Sequence, residues 1–210
     1  MHANGDEEES NLQAALQESG RMHKKDIQAS RGMVSLSYAE QIQLLTCKLA
    51  PLKRKVLDVA DQGNCLFDAV RLQYNLLSDQ PERAFMASTQ SLRDMIATWV
   101  RTNKDWLVAF YPDVSSPQTL DAYCRRIATD GEWGDAREII AMASLLHCSI
   151  TLVQTVGDSE TYPPRSPEGR TLDDQDHPQL VIGYINTLHY TATTLLEDAR
   201  APLGTASAEP

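Results

Sequence analysis

The stretch Asp61-Gln62-Gly63-Asn64-Cys65-Leu66-Phe67 decides the fold of the chain. Gly63 tolerates backbone angles with φ > 0, so the chain can bend sharply just before Cys65. The apolar residues that follow have the spacing of one helix face: Leu66, Ala69, Val70 and Tyr74. We therefore expect a turn that leads into a helix beginning near Cys65. The unpaired N–H groups of such a helix start favour a thiolate and can also hold a developing oxyanion.

Length and charge narrow the class of protein. The chain has 210 residues, which suits one domain with tails and is enough to bury a full core. Its formal net charge of -10 argues against nonspecific nucleic-acid binding, because phosphate contacts need clustered lysine and arginine. No apolar run approaches the roughly 20 residues that span a membrane, and the acidic start is unlike a signal peptide. We expect a monomer that binds neither nucleic acid nor membranes.

The four cysteines form no CxxC pair, so neither a zinc site nor a disulfide framework is expected. Cys47, Cys124 and Cys148 lie in apolar-periodic segments and are interpreted as buried, inert thiols. Unpaired cysteines suit a reducing compartment, which predicts the cytoplasm, either of the producing cell or of a host that a microbe has entered. We expect no metal and no cofactor.

The pattern of the chain predicts a mixed α/β (α+β) domain over 31–197, with a polar arm at 1–30 and a disordered tail at 198–210. Helices come first and a small, mostly antiparallel sheet comes late, with the Cys65 helix packed against that sheet. The segment 157–177 is interpreted as a surface loop. The predicted helices are 35–49, 65–77, 91–100, 106–111, 117–127 and 135–146, and the predicted strands are 56–59, 149–153, 180–185 and 189–193.

A thiolate nucleophile needs a base, which is most often histidine. Of the five histidines, His189 opens the last predicted strand beside a hairpin turn, a rigid place from which to present an imidazole. The sequence itself leaves two readings equally open: a Cys65–His189 catalytic pair, or two ordinary core residues.

Three blocks of sequence resemble the ovarian-tumour (OTU) family of cysteine proteases, which are deubiquitinases on a papain-like scaffold. Each block alone is a modest signal, but their order and spacing together are fairly specific. The blocks are Gly63-Asn64-Cys65-Leu66-Phe67-Asp68-Ala69, Trp133-Gly134-Asp135-Ala136-Arg137-Glu138-Ile139-Ile140-Ala141 and the late His189-Tyr190.

The resemblance implies a catalytic role for each matching residue. Cys65 would attack an isopeptide carbonyl between lysine and ubiquitin or a ubiquitin-like modifier. His189 would act first as the general base and then as the acid for the leaving amine. The backbone N–H groups of Gln62, Gly63 and Cys65 would form the oxyanion hole.

Two positions depart from the family pattern. Gln62 stands where an aspartate is usual, and Thr191 stands where the residue that orients the histidine is usually Asp or Asn. We rank Thr191 first for that role by position and Asp58 close behind by chemistry, with Asp61 also available. A hydroxyl can fix the imidazole tautomer but stabilises imidazolium less than a carboxylate does. The alternative function is a weak or inactive OTU-fold protein that binds ubiquitin without cutting it.

The segment 6–19 resembles a ubiquitin-interacting motif, with an acidic run followed by one apolar helix face. The small Ala15 would let that helix approach a flat apolar patch on ubiquitin closely. Met22 departs from the motif, and an ordinary solvated helix is the alternative interpretation. The expected ubiquitin-binding residues are Leu12, Ala15, Leu16 and Ser19.

Overall fold

A computed structural model describes residues 36–60, 63–77, 86–105, 116–166, 177–186 and 188–196. The expected arm at 1–30 and tail at 198–210 lie outside these residues, as does the predicted helix 106–111. No helix in the described ranges is long and apolar enough to cross a membrane. The helices are α1 (Tyr38–Leu49), α2 (Cys65–Leu76), α3 (Thr89–Thr102), α4 (Pro117–Ala128) and α5 (Ala136–Leu145). The strands are β1 (Arg54–Leu57), β2 (Ser149–Gln154), β3 (Glu160–Tyr162), β4 (Gln179–Ile185) and β5 (His189–Leu195).

Local sequence signals explain why several helices begin where they do. Ser37 and Glu40 form a capping box at the start of α1, and Asp135 and Glu138 form another at the start of α5. Such boxes satisfy backbone N–H groups that have no partner within the helix. Pro117 occupies the first turn of α4, where its fixed φ and missing N–H cause no loss. The five predicted helices that fall within the described residues are confirmed to within a few residues at each end.

The five strands form one sheet in the order β1-β5-β4-β2-β3. The prediction of a mixed α/β domain with a mostly antiparallel sheet is confirmed, and β4 and β5 form the predicted hairpin. One pair differs, because β2 and β4 run parallel. A parallel pair needs a long connection, and the chain between these strands is long enough to provide one. That connection also contains β3, so the prediction of a continuous loop over 157–177 was wrong.

Helices cover both faces of the sheet. The larger core lies between the sheet and two helices, α2, which contacts β4 and β5, and α5, which contacts β2 and β3, with α3 and α4 beyond them. The smaller core joins α1 to the opposite face through Leu45, Leu49, Val153, Val181 and Ile185. Because β4 is covered on both faces, its sequence is nearly continuously apolar rather than alternating.

The cysteines divide differently from expectation. Cys124 and Cys148 are fully buried, as predicted, but Cys47 is exposed. The buried face of α1 carries Leu45 and Leu49, which are one helical turn apart. Cys47 lies midway between them in sequence and therefore on the opposite side of the helix.

Candidate active site

Cys65 is the first residue of α2 and is only 1% exposed. The turn before it bends through Gly63, whose φ is +75°. A Cβ atom at Gly63 would lie 1.8 Å from the backbone oxygen of Gly131, so only glycine fits at this close approach. The sharp turn predicted from the sequence is confirmed. It packs at Gly63 against Gly131, in the loop between α4 and α5.

Asn64 occupies the N-cap position of α2 but makes no capping hydrogen bond with its side chain. Its Oδ1 accepts the backbone N–H of Gly131 at 3.2 Å, and its Nδ2 donates to Asp130 Oδ1 at 2.8 Å. The amide is thus used to dock the turn onto the neighbouring loop. As a result, the Asn64 side chain does not bond to the first N–H groups of α2. These N–H groups can stabilise negative charge beside Cys65.

His189 is the first residue of β5 and is 5% exposed. It pairs with Ile185 across the hairpin, which fixes its backbone position. The Tyr38 ring lies against the imidazole in a tilted arrangement, with 6.3 Å between ring centroids. The ring atom Nε2 lies 3.2 Å from Asp58 Oδ1. A carboxylate oxygen only accepts, so this contact favours the tautomer with the proton on Nε2.

Asp58 follows β1 and is held by neighbours of its own. The same Oδ1 atom accepts the Val59 backbone N–H at 3.0 Å and the Tyr38 hydroxyl at 3.2 Å. These bonds aim the carboxylate at His189 although 59% of the Asp58 side chain is exposed to solvent. Asp58 and His189 are therefore brought together from positions 131 residues apart in the chain.

Thr191 lies on β5 and is fully buried. Its hydroxyl has no hydrogen-bond partner among the described residues. The hydroxyl faces α1, because a Cβ added at Gly183 would lie 2.5 Å from Thr191 Oγ1 and 2.6 Å from Leu45 Cδ2. The structure thus brings Asp58 to the His189 ring, whereas Thr191 packs between the sheet and α1.

Cys65 and His189 belong to neighbouring elements of the fold. The helix that Cys65 begins packs against β5, which His189 begins. Burial raises the pKa of Tyr184, a hydrogen bond with Tyr190 acts to lower it, and the charge of Cys65 acts to raise it. Tyr184 precedes Ile185, the strand partner of His189. The two predicted catalytic residues are therefore presented from adjacent, rigid elements.

The first turn of α5 contains a buried acid, Glu138. Glu138 is fully buried, accepts the Asp135 backbone N–H at 2.7 Å and pairs with Arg126 at 2.8 Å. Burial, and then the charge of Asp135, raise the pKa of Glu138 from 4.5 to about 7. Burial also acts to raise the pKa of Asp135, but hydrogen bonds from Arg137 outweigh it and hold that pKa below its ordinary value.

Trp133 and Glu138, both in the second block of sequence that resembles the OTU family, differ in burial. Glu138 is fully buried. Trp133 does not pack fully at the helix start, since it is 49% exposed, and its backbone oxygen accepts from Arg126 at 2.7 Å.

Sequence reasoning missed two residues at the site. Tyr38 contacts both His189 and Asp58, and no sequence pattern marks it. Arg93 is fully buried beside the Cys65 turn. A signal for Arg93 was present, because it is a charged residue in register with Ile96 and Val100 on the apolar face of α3.

The other predicted site residues fall outside the part of the chain that the structure describes. Gln62, one of the three expected oxyanion donors, belongs to this group. So do the expected ubiquitin-binding residues, which are Leu12, Ala15, Leu16 and Ser19.

Comparison with known proteins decides the family. The model of the family described as OTU-like cysteine protease matches residues 60–193, which include both Cys65 and His189. The chain belongs to the OTU-like cysteine protease family. Asp58 lies just before the matched segment, so the contact it makes with His189 is an observation from this structure rather than from the family match.

Curated relatives of this OTU protein are distant in sequence. OTU domain-containing protein 2 of Saccharomyces cerevisiae is 23% identical over 147 residues, covering 68% of this chain and 47% of the relative. Ubiquitin thioesterase otu2 of Schizosaccharomyces pombe is 27% identical over 110 residues, covering 51% of this chain and 35% of the relative. The chain thus spans less than half the length of these two relatives.

Solved structures support the OTU fold. The OTU domain of OTUD1 superposes with a TM-score of 0.56 at 19% identity, covering 75% of this chain and 96% of that domain. An OTU deubiquitinase from Wolbachia pipientis wMel gives a TM-score of 0.51 at 18% identity, covering 71% of this chain and 93% of that structure. At these identities the likeness establishes the architecture of the domain.

Proposed function

We propose that this OTU-family protein is a thiol-dependent deubiquitinase that hydrolyses the isopeptide bond between ubiquitin, or a ubiquitin-like modifier, and lysine. The observation that carries the proposal is the buried Cys65 at a helix start that the Asn64 side chain leaves uncapped. The start of a helix favours the thiolate, which is the nucleophilic form of cysteine. The fission-yeast relative is named a ubiquitin thioesterase, and that name supports ubiquitin as the modifier.

The proposed reaction proceeds in two half-reactions. In the first, the Cys65 sulfur adds to the isopeptide carbonyl, and the C–N bond breaks as His189 protonates the departing lysine amine. In the second, His189 removes a proton from water, the water adds to the thioester, and Cys65 leaves as thiolate. The backbone N–H groups of Gly63 and Cys65, with that of Gln62, would hold the oxyanion in both steps.

We propose Asp58, rather than Thr191, as the group that orients His189. The contact between Asp58 Oδ1 and His189 Nε2 keeps a proton on Nε2, so proton transfer with Cys65 runs through Nδ1. A carboxylate beside the ring also stabilises the imidazolium that forms during the reaction. Thr191 has neither advantage, because its hydroxyl contacts no described hydrogen-bonding group.

Covalent capture tests the proposed activity. A ubiquitin whose C-terminus carries an electrophile should form an adduct with the wild-type protein and with Cys47→Ala, since Cys47 is exposed but not in the site. Cys65→Ala should form no adduct. Capture through Cys47, or an unmodified wild-type protein with ubiquitin and ubiquitin-like probes alike, would contradict the proposal. Tight binding of ubiquitin without capture would instead support the binding-only alternative.

The compartment and the N-terminal arm complete the proposal. All four cysteines are free thiols, which suits a reducing compartment such as the cytosol. The motif-like segment 6–19 would supply a second ubiquitin contact outside the active site. Its acidic character and the net charge of -10 suit a partner with a basic face.

A further inference from the structure

Arg93 has an unusual environment for a charged residue. Its side chain is fully buried on the apolar face of α3. The guanidinium lies 3.8 Å above the centre of the Phe67 ring, on the helix that begins at Cys65. Among the described residues, no carboxylate hydrogen-bonds to it. Burying a cation without a bonded carboxylate is costly, so the position calls for a compensating role.

The bonds of Arg93 converge on the turn before Cys65. Nε and Nη2 both donate to Asn64 Oδ1, at 3.0 and 2.6 Å, and Nη2 also reaches the Gly63 backbone oxygen at 3.2 Å. The other contacts tie this turn to its surroundings. Nη1 donates to the Ile127 oxygen at 2.9 Å, and Nη2 donates to the Glu132 oxygen at 2.5 Å.

Arg93 thus joins three pieces of chain that meet at the head of α2. They are the Gly63–Asn64 turn, the end of α4 and the loop that leads to α5. Asn64 strengthens the same junction through Gly131 and Asp130. A planar guanidinium with several fixed N–H directions suits this work better than a flexible ammonium, which offers a single charge.

The bond to Gly63 also fixes the direction of the next N–H group. In a trans peptide the C=O and the following N–H point in opposite directions. Because the Gly63 oxygen points at Arg93, the Asn64 N–H points away from it. Arg93 therefore sets the orientation of the Gly63–Asn64 peptide, which lies one residue before the peptide that joins Asn64 to Cys65.

We propose that Arg93 is a positioning residue for Cys65, which holds the Gly63–Asn64 turn so that the thiol and the N–H groups around it keep their reactive geometry. The expected effect of Arg93 on substrate turnover rests on the proposed deubiquitinase function. Its expected effect on the reactivity of the Cys65 thiol is independent of that function.

The test compares Arg93→Lys with a matched control, Arg54→Lys. Arg54 is partly buried and, like Arg93, bonds to neutral groups, on Gln73 and Thr193, but it lies on β1 away from the turn. A displacement of about 1 Å at a reacting group can cost about 100-fold in rate, so kcat on a ubiquitin substrate should fall by roughly that factor in Arg93→Lys. KM should stay within about twofold of the wild type, because the turn acts on the reacting atoms.

A second measurement is independent of ubiquitin and of turnover. In a Cys47→Ser background, the rate of Cys65 alkylation by iodoacetamide is followed against pH by peptide mass spectrometry. Loss of the alignment between Cys65 and the helix start should raise the midpoint of this profile by about half a unit in Arg93→Lys. Arg54→Lys should leave both the midpoint and kcat near the wild type.

The outcomes separate the two ideas. If neither variant nor wild type cleaves ubiquitin but the alkylation midpoint still shifts in Arg93→Lys, the positioning role stands and the proposed function fails. If the midpoint and kcat change no more in Arg93→Lys than in Arg54→Lys at an equal loss of Tm, Arg93 is merely structural and the inference is overturned.

Discussion

Asp58 and His189 meet through one hydrogen bond that the order of the chain does not reveal. Position relative to His189 favours Thr191, because that residue follows the histidine closely in sequence. In the folded protein, however, Thr191 lies two residues, or about 7 Å, further along the same face of β5, and its hydroxyl has no hydrogen-bond partner among the described residues. The chain leaving β1 runs antiparallel to β5, and this direction carries Asp58 back toward His189.

Substitution of Asp58 should therefore lower kcat, whereas substitution of Thr191 should change the free energy of unfolding and leave kcat unchanged. Asp58→Asn should lower kcat about 100-fold or more, because an amide can hold the wrong tautomer and cannot stabilise imidazolium. Thr191→Val should leave kcat near the wild type and raise the free energy of unfolding by about 1 kcal/mol, since it removes a buried hydroxyl without a described partner. Steady-state kinetics and denaturant unfolding measure both effects. A larger kcat loss in Thr191→Val than in Asp58→Asn would reverse the assignment.

The helix starts serve two different purposes. At α5 the cap is complete, because the side chains of Asp135 and Glu138 both bond to backbone N–H groups. At α2 the N-cap side chain of Asn64 is directed elsewhere. A complete cap stabilises a helix, whereas an incomplete one leaves N–H groups available to a ligand or a transition state. Cys65, the proposed nucleophile, is on the helix with the incomplete cap.

The buried acid of the α5 cap predicts a pH dependence of stability. The folded-state pKa of Glu138 is raised from 4.5 to about 7, so the folded state binds more protons than the unfolded state between these values. Its contribution to stability should therefore be full below about pH 4.5 and decline as pH rises to about 7. Glu138→Gln, which keeps a hydrogen-bonding side chain of similar size, should remove this decline.

The measurement is the difference in unfolding free energy between wild type and Glu138→Gln across this pH range. Glu132→Gln is a suitable control, because Glu132 is exposed on the neighbouring loop. A difference between wild type and Glu138→Gln that does not change with pH would show that folding does not raise the pKa of Glu138.

At the scale of the whole molecule, the sheet brings Asp58 and His189 together. It places β1, an early strand, beside β5, the last one, so that residues from both ends of the domain face each other. Helices on both faces bury the sheet and fix its strands. The N-terminal segment 6–19 precedes this domain, and its ubiquitin contact remains a proposal about the full chain.

A matched pair of substitutions tests the arm. Ala15→Asp places a charge on the predicted apolar face, whereas Ala14→Asp places the same charge about 100° away around the helix. In a Cys65→Ala background, Ala15→Asp should weaken ubiquitin binding several-fold and Ala14→Asp should not. Titration calorimetry with ubiquitin measures both affinities. Equal affinities for the two variants would reject the recognition helix.

Much of the fold could be predicted, because it depends on local signals. Apolar spacing and prolines located the described helices, a β-branched run located β2, and the predicted hairpin located β4 and β5. The parallel pairing of β2 with β4 and the presence of β3 were missed, since strand pairing depends on contacts between distant segments. The exposure of Cys47 was missed because its helix presents a narrow apolar face to the sheet.

The sequence by itself determined the Gly63–Asn64 turn, the helix that begins at Cys65 and the strand that begins at His189. These features follow from glycine conformation, apolar periodicity and hairpin length, which act over a few residues. Only the tertiary structure decided which acid hydrogen-bonds to His189. It also decided that Arg93 hydrogen-bonds to the Gly63–Asn64 turn. The physical reason is that a hydrogen bond needs two groups within about 3 Å, and for these groups the packing of the sheet and helices sets that distance.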